Sequence, residues 1–328
     1  MKMSRFSALD GWRGISITLV LLGHLFPLGP KVLKLNVAVA GEGMAIFFTL
    51  SGFLITTVLL KGDTIRAFLI HRFMRIVPLA WLAILVTLAL EGADPRAWLP
   101  HLLFYVNEDN VWLTLGTQHF WSLCVEMQFY VAVALLVAAL GRRSLFLLPL
   151  LAIVVTGLKI WTSKHMAINT EFRADEILAG CALALVNEHR REWLAKLPPL
   201  LPWAIFPVLL LSAHPDFGPL NYLRPYLAAT MVGATLYLGE EALLARLLHT
   251  RVLRYLAQIS YALYVVHGCL AASWLASGDT LVKYLKRPLF LAATFGLAHI
   301  STKHFERYFI DLGKVLARPF SPKASPLP

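Results

Sequence analysis

The chain has 328 residues, 58% of them hydrophobic and 15% charged, with a mean hydropathy of +0.66 and a net charge of +11. Soluble domains carry roughly 25% charged residues. This composition excludes a disordered chain, a disulfide scaffold, a nucleic-acid-binding domain and a single soluble core, and leaves an all-α, polytopic membrane protein.

A helix needs about 20 residues to cross a bilayer. Ten apolar segments are predicted to do so: 13–29, 38–60, 74–91, 119–140, 144–161, 171–187, 199–213, 223–239, 254–277 and 286–307. The sixth to eighth are short. With the N-terminus in the cytoplasm, the inner segments carry twenty of the thirty Lys and Arg residues. The outer ten include Lys159, Arg173 and Arg224. That asymmetry predicts N-in and C-in, so the positive charge reads as topology rather than as a nucleic-acid surface. The three cysteines, Cys124, Cys181 and Cys269, fall in apolar runs without metal-site spacing.

Ionisable residues within spans mark sites by default. The first segment carries Asp10, Arg13 and His24. Arg13 and His24 fall within about 20° of one helix face and about 16 Å apart along the axis, with Asp10 about 40° off that face. The reading places Arg13 at the cytoplasmic mouth and His24 deep in the membrane. No small-residue cleavage site follows, so the segment is expected to be retained rather than removed as a signal peptide. In the second segment, Ser51 and Gly52 read as close helix packing rather than chemistry, since no base is adjacent. Arg72 and Arg75, i and i+3 before the third segment, suit an anion through their planar donor forks. The alternative is ordinary positive-inside charge. The extended polar loop is about 92–117, on the outer side.

The fourth segment opens on Trp121 and places Ser122, Glu126 and Tyr130 at i, i+4 and i+8. A carboxylate there must find a partner or be protonated. Glu126 could orient an imidazole, pair with Arg13 or bond a neighbouring helix. Phe172-Arg173-Ala174-Asp175-Glu176 opens the sixth segment. Those charges either face an acceptor or pair among themselves. In the ninth, Ser260, Tyr264 and His267 share a face that could line a cavity or glue helices together. A single domain is expected over 1–310, then a cytoplasmic tail, 311–328, Pro- and Ser-rich at its end. No Walker A, HExxH or GxSxG motif occurs.

In this order the clusters resemble the acyltransferase-3 family of integral membrane O-acyltransferases. The resemblance rests on Leu9-Asp10-Gly11-Trp12-Arg13-Gly14 with Gly23-His24, and on Phe47-Phe48-Thr49-Leu50-Ser51-Gly52-Phe53-Leu54-Ile55. It continues through Arg72-Phe73-Met74-Arg75-Ile76-Val77-Pro78 and Trp121-Ser122-Leu123 with Glu126 and Phe129-Tyr130. Phe172-Arg173-Ala174-Asp175 with Gly180, and Ser260-Tyr261-Ala262-Leu263-Tyr264 with His267, complete it. Near the end the chain reads His304-Phe305-Glu306-Arg307-Tyr308, where the family commonly has Glu-Lys/Arg-Pro.

The resemblance implies transfer of an acyl group, commonly acetyl, from cytoplasmic acyl-CoA. The acceptor would be a hydroxyl of an exopolysaccharide or another exported, surface or lipid-linked saccharide. It implies a multi-pass protein of the bacterial inner membrane, with acyl-CoA as co-substrate and no tightly bound cofactor or metal. His24 would be the base, with Glu126 and Arg13 as further catalytic residues. Arg13, Arg72 and Arg75 would hold the donor. Asp10, Ser51, Trp121, Ser122, Tyr130, Arg173, Asp175, Ser260, Tyr264 and His267 would line the substrate cavity. Some relatives add an extracytoplasmic hydrolase-like domain, which is not expected within these 328 residues. Two rival readings use the same residues. One is a proton-coupled transporter or flippase of a lipid-linked glycan; the other is a non-catalytic component of a glycan-assembly complex.

Overall fold

The structure, a computed structural model, describes residues 7–320. Among them the chain is helix and turn, without strands. In order the helices are α1 (Ser7–Leu25), α2 (Leu35–Leu60), α3 (Ile65–Leu90), α4 (Pro95–Leu102), α5 (Trp121–Leu140), α6 (Leu148–Thr162), α7 (Thr170–Arg173) and α8 (Asp175–His189). There follow α9 (Arg191–Ala195), α10 (Leu201–Ser212), α11 (Arg224–Thr235), α12 (Leu243–Leu248), α13 (Arg251–Ala271), α14 (Thr280–Ile300) and α15 (Arg307–Ala317). Prolines in the first turns of α4, α6, α10 and α11 suit positions whose N–H lacks a helical partner. Thr64, Asp94 and Asp279 cap α3, α4 and α14 with their side chains.

Each of the ten predicted segments overlaps helix, although 26–29 and 236–239 lie beyond the ends of α1 and α11. Among the described residues, four stretches, Lys31–Leu60, Ile65–Leu90, Gln118–Leu140 and Arg142–Thr162, are long and apolar enough to cross a membrane. Several boundaries differ from expectation. The first helix runs six residues further back and stops at Leu25, because Pro27 and Pro30 cannot continue it. The third starts at Ile65, so Arg72 and Arg75 lie inside the helix rather than before it. The last does not end near 307. From Ile300 it passes through a π-helical turn, Ser301–Glu306, directly into α15. Residues 311–320, expected as tail, are therefore helical, and 321–328 lie outside the described residues.

The chain divides into two compact units. The first comprises the residues up to Thr57 together with Phe146–Ser260. Its core gathers Trp12, Ile46, Leu50, Phe53, Leu209, Met231 and Val232. Trp12 donates its indole N–H to Thr235 at 2.9 Å, which ties α1 to α11. Within this unit α2 and α8 pack backbone to backbone. A Cβ on Gly52 would lie 1.9 Å from the carbonyl oxygen of Ile177, and one on Gly180 would lie 2.1 Å from that of Thr49. The small residues read from sequence at this position are therefore a packing device.

The second unit comprises Val58–Leu145 and the chain from Tyr261 onward. In it α3 packs on α5 and α15. The turn after α4 is fixed from both neighbours: Trp81 donates to the carbonyl of Leu102, and the Gln128 amide donates to the carbonyl of Phe104. Phe104 there takes a left-handed backbone, φ 57°.

Candidate active site

The candidate residues divide between the units. Asp10, Arg13, His24, Ser51, Arg173, Asp175 and Ser260 belong to the first. Arg72, Arg75, Trp121, Ser122, Glu126, Tyr130, Tyr264 and His267 belong to the second.

In the first unit, α1 carries both Arg13 and His24. The helix is held along its length: Trp12 bonds Thr235, and Ser16 donates to the carbonyl of Gly43 at 2.8 Å. Its far end is closed by Asn36 at the start of α2. The Asn36 amide donates to the carbonyls of Gly23 (2.7 Å) and Phe26 (2.5 Å), while its oxygen accepts from Leu28 N–H (3.2 Å). These bonds satisfy carbonyls that a helix end leaves open, and they fix the turn that bears His24. Arg13 is half-buried and lies 3.9 Å from Asp10, one turn earlier. His24 is exposed, one residue from the helix end. Between them on the same face, Ile17 and Val20 are 5% and 1% exposed. The two polar groups thus stand at opposite ends of a buried apolar stretch.

The charges at the start of α8 form a buried network. Lys159 of α6 pairs with Asp175 at 2.7 Å. Arg224 of α11 pairs with Glu176 at 2.6 Å, and Arg173 sits 3.5 Å from the same oxygen. Thr156 bridges Asp175 and the Tyr226 hydroxyl. All five charged side chains are buried. Arg173 and Asp175 therefore meet neighbouring helices rather than an open substrate face. Lys159 and Arg224, counted from sequence on the outer side, are the partners of Asp175 and Glu176. Ser51 is buried beside the Gly52 contact, and Ser260 donates back to Ala257 of its own helix.

The second unit holds two polar clusters. On α5, Tyr130 donates to Glu126 at 2.5 Å, as their one-turn spacing predicts. The Arg72 guanidinium stands over the rings of Phe68 (5.8 Å) and Tyr130 (5.7 Å). An aromatic pair thus seats a cation whose position is tied through Tyr130 to a buried carboxylate. The other cluster joins α5 to α13. Tyr264 donates to the carbonyl of His119 and shares a 2.5 Å hydrogen bond with Ser122. The His119 ring lies 5.0 Å from that of His267, and its Nε2 bonds the carbonyl of Val265 at 3.1 Å. It enters over Gly268, where a Cβ would fall 2.1 Å from His119 Nδ1. Sequence reading missed His119. Its one signal was its place in the turn before Trp121, three residues ahead of Ser122. Trp121 itself is half-buried as the first residue of α5.

Outside the membrane-spanning stretches, His101 of α4 is buried between the carbonyl of Ala97 (2.7 Å) and the Thr117 hydroxyl (2.9 Å). Burial lowers its pKa, against the opposing effects of the Ala97 bond and the Glu91 charge.

The chain belongs to the acyltransferase domain family Acyl_transf_3, whose model matches residues 6–300. It is 28% identical over 311 residues to the Bacillus subtilis (strain 168) protein named "Putative peptidoglycan O-acetyltransferase YrhL", covering 79% of this chain and 47% of that one. It is 25% identical over 362 residues to the peptidoglycan O-acetyltransferase OatA of Listeria monocytogenes serovar 1/2a, covering 91% and 55%. The chain spans about half the length of these relatives. No solved structure matches it.

Proposed function

We propose that the chain is a membrane O-acyltransferase that moves an acyl group, acetyl by the names of its relatives, from acyl-CoA to a hydroxyl of a surface or exported glycan. In this reading it crosses the bacterial inner membrane ten times with both termini inside. The observation that carries the reading is the family match along nearly the whole chain, with Arg13, His24, Arg72, Glu126 and Tyr130 placed on ordered helices. The relatives' names favour a cell-wall glycan as acceptor.

His24 takes the proton of the acceptor hydroxyl, and the oxygen attacks the thioester carbonyl. The tetrahedral intermediate collapses with cleavage of the C–S bond. The CoA thiolate leaves and recovers the proton from His24. Exposure at the end of α1 gives the imidazole the access this role needs. Arg72, held over Phe68 and Tyr130, and Arg75, one turn on, take the donor's phosphates. Arg13, about 16 Å along α1 from His24, is too distant for the reacting carbonyl and suits the body of the donor.

The test is thioester consumption by the purified protein in nanodiscs with acetyl-CoA and cell-wall glycan, beside a His24→Ala control. CoA release with matching acetylation of the glycan, lost in the variant, is the expected result. Turnover retained after His24→Ala would remove His24 as the base. A wild-type protein that moves glycan across the bilayer without consuming thioester would be a flippase.

A further inference from the structure

The π-helical turn Ser301–Glu306 interrupts what would otherwise be one continuous helix from α14 to α15. Such turns are rare, and they recur at functional sites. Here the widened turn packs against α3 and ends on Glu306, which is buried. Thr302, one turn earlier, donates its hydroxyl to Glu306 Oε1 at 2.7 Å. The clamp fixes one carboxylate oxygen and hence the direction of the other.

Arg75 of α3 lies within electrostatic reach of this carboxylate, and Tyr261 feels both charges together with that of Glu126. The neighbours of each agree. Phe73 and Met74, just before Arg75, line an apolar cavity of ≈ 940 Å³ together with Phe305, just before Glu306. Arg75 makes no ion pair within 4.0 Å among the described residues. Arg72, by contrast, is engaged by two rings. A half-buried guanidinium beside an apolar cavity needs a compensating charge. A carboxylate near enough to attract it, yet not bonded to it, leaves the planar donor fork open.

We propose that Glu306 is a positioning residue: the π-turn presents its carboxylate as a remote counter-charge that holds Arg75 inward, with its fork available to a phosphate of the donor. The inference rests on the acyl-CoA reading above. The role passes through Arg75, and Glu306 touches no reacting atom.

The experiment is a double-mutant cycle with wild type, Glu306→Gln, Arg75→Gln and the double variant, each scored for acyl-CoA KM, kcat and equilibrium binding of CoA. Glu306→Gln is expected to raise KM about tenfold and weaken CoA binding in step, with kcat within about twofold. The double variant is expected to be no worse than Arg75→Gln alone, and Glu306→Asp to recover part of the loss. An unchanged or lower KM in Glu306→Gln would overturn the proposal, the lower value meaning that the carboxylate competes with the donor. Independent, multiplying losses in the double variant would overturn it too. If Glu306→Gln does not yield folded protein, Thr302→Val removes the clamp without removing the charge. It must then raise KM in the same direction for the proposal to stand. A wild-type protein that neither binds CoA nor consumes thioester sinks the parent reading instead.

Discussion

Gly52 and Gly180 stand in a reciprocal relation: each presses its α-carbon against the carbonyl three residues before the other. A methyl group at either site must displace backbone rather than the tip of a side chain. Gly52→Ala and Gly180→Ala are each expected to destabilise the protein by about 3 kcal/mol, the upper end for overpacking. Gly157→Ala on α6, with nothing within 4 Å of the added methyl, is expected to be neutral or to stabilise by about 0.5–1 kcal/mol. Thermal melts of the three variants in one detergent make the comparison.

The ion network gives a sharper contrast. Lys159 and Asp175 are 1% and 0% exposed. Lys159→Met leaves a buried carboxylate without its cation, at a cost of about 3–5 kcal/mol. Replacing both by apolar residues of similar size removes the orphan, and the loss is expected to shrink to about 1 kcal/mol or less. A double variant as unstable as the single one would show that the pair itself, rather than its completeness, holds α6 to α8.

Among the described residues, Arg72 is seated by two rings and not by an ion pair. Lysine keeps the charge but loses the planar face and the fork. Arg72→Lys is therefore expected to raise the acyl-CoA KM about tenfold with little change in Tm. A variant kinetically equal to wild type would mean that charge alone suffices there.

His101 predicts a pH dependence of stability outside the spans. Burial holds its folded-state pKa below the ordinary 6.5. The unfolded chain therefore binds the proton first as pH falls. The contribution is fully present above about pH 6.5 and is lost as pH drops through the folded value. Tm measured from pH 7.5 to 5 is expected to fall more steeply for wild type than for His101→Gln. Equal slopes would show that His101 is not the group responsible.

Much of the helix pattern was legible, because spans need long apolar runs and the chain has few ways to hide them. The Ser122, Glu126 and Tyr130 face could be read because helical spacing is local. What failed was non-local. Lys159 and Arg224 were counted only as outer-side charges, since nothing in their own segments shows that Asp175 and Glu176 wait on another helix. His119 was missed because its fit depends on a glycine nearly 150 residues later, Gly268. The π-turn leaves no periodic signature in six residues, and the absence of the family's proline after Glu306-Arg307 was the only local hint that the helix continues.

The buried charges also constrain how the protein is made. A segment opening on Arg173, Asp175 and Glu176 is a poor candidate for lateral release into lipid by itself, since charges without partners are costly in lipid. Lys159 emerges from the ribosome before Asp175, so an α6–α8 hairpin can neutralise that carboxylate as soon as it forms. Arg173 can shield Glu176 in the meantime, one turn away. Arg224 follows 48 residues later, so the final pair closes only after α11 has been synthesised. Biogenesis therefore favours holding these helices together at the translocon until the last cation arrives.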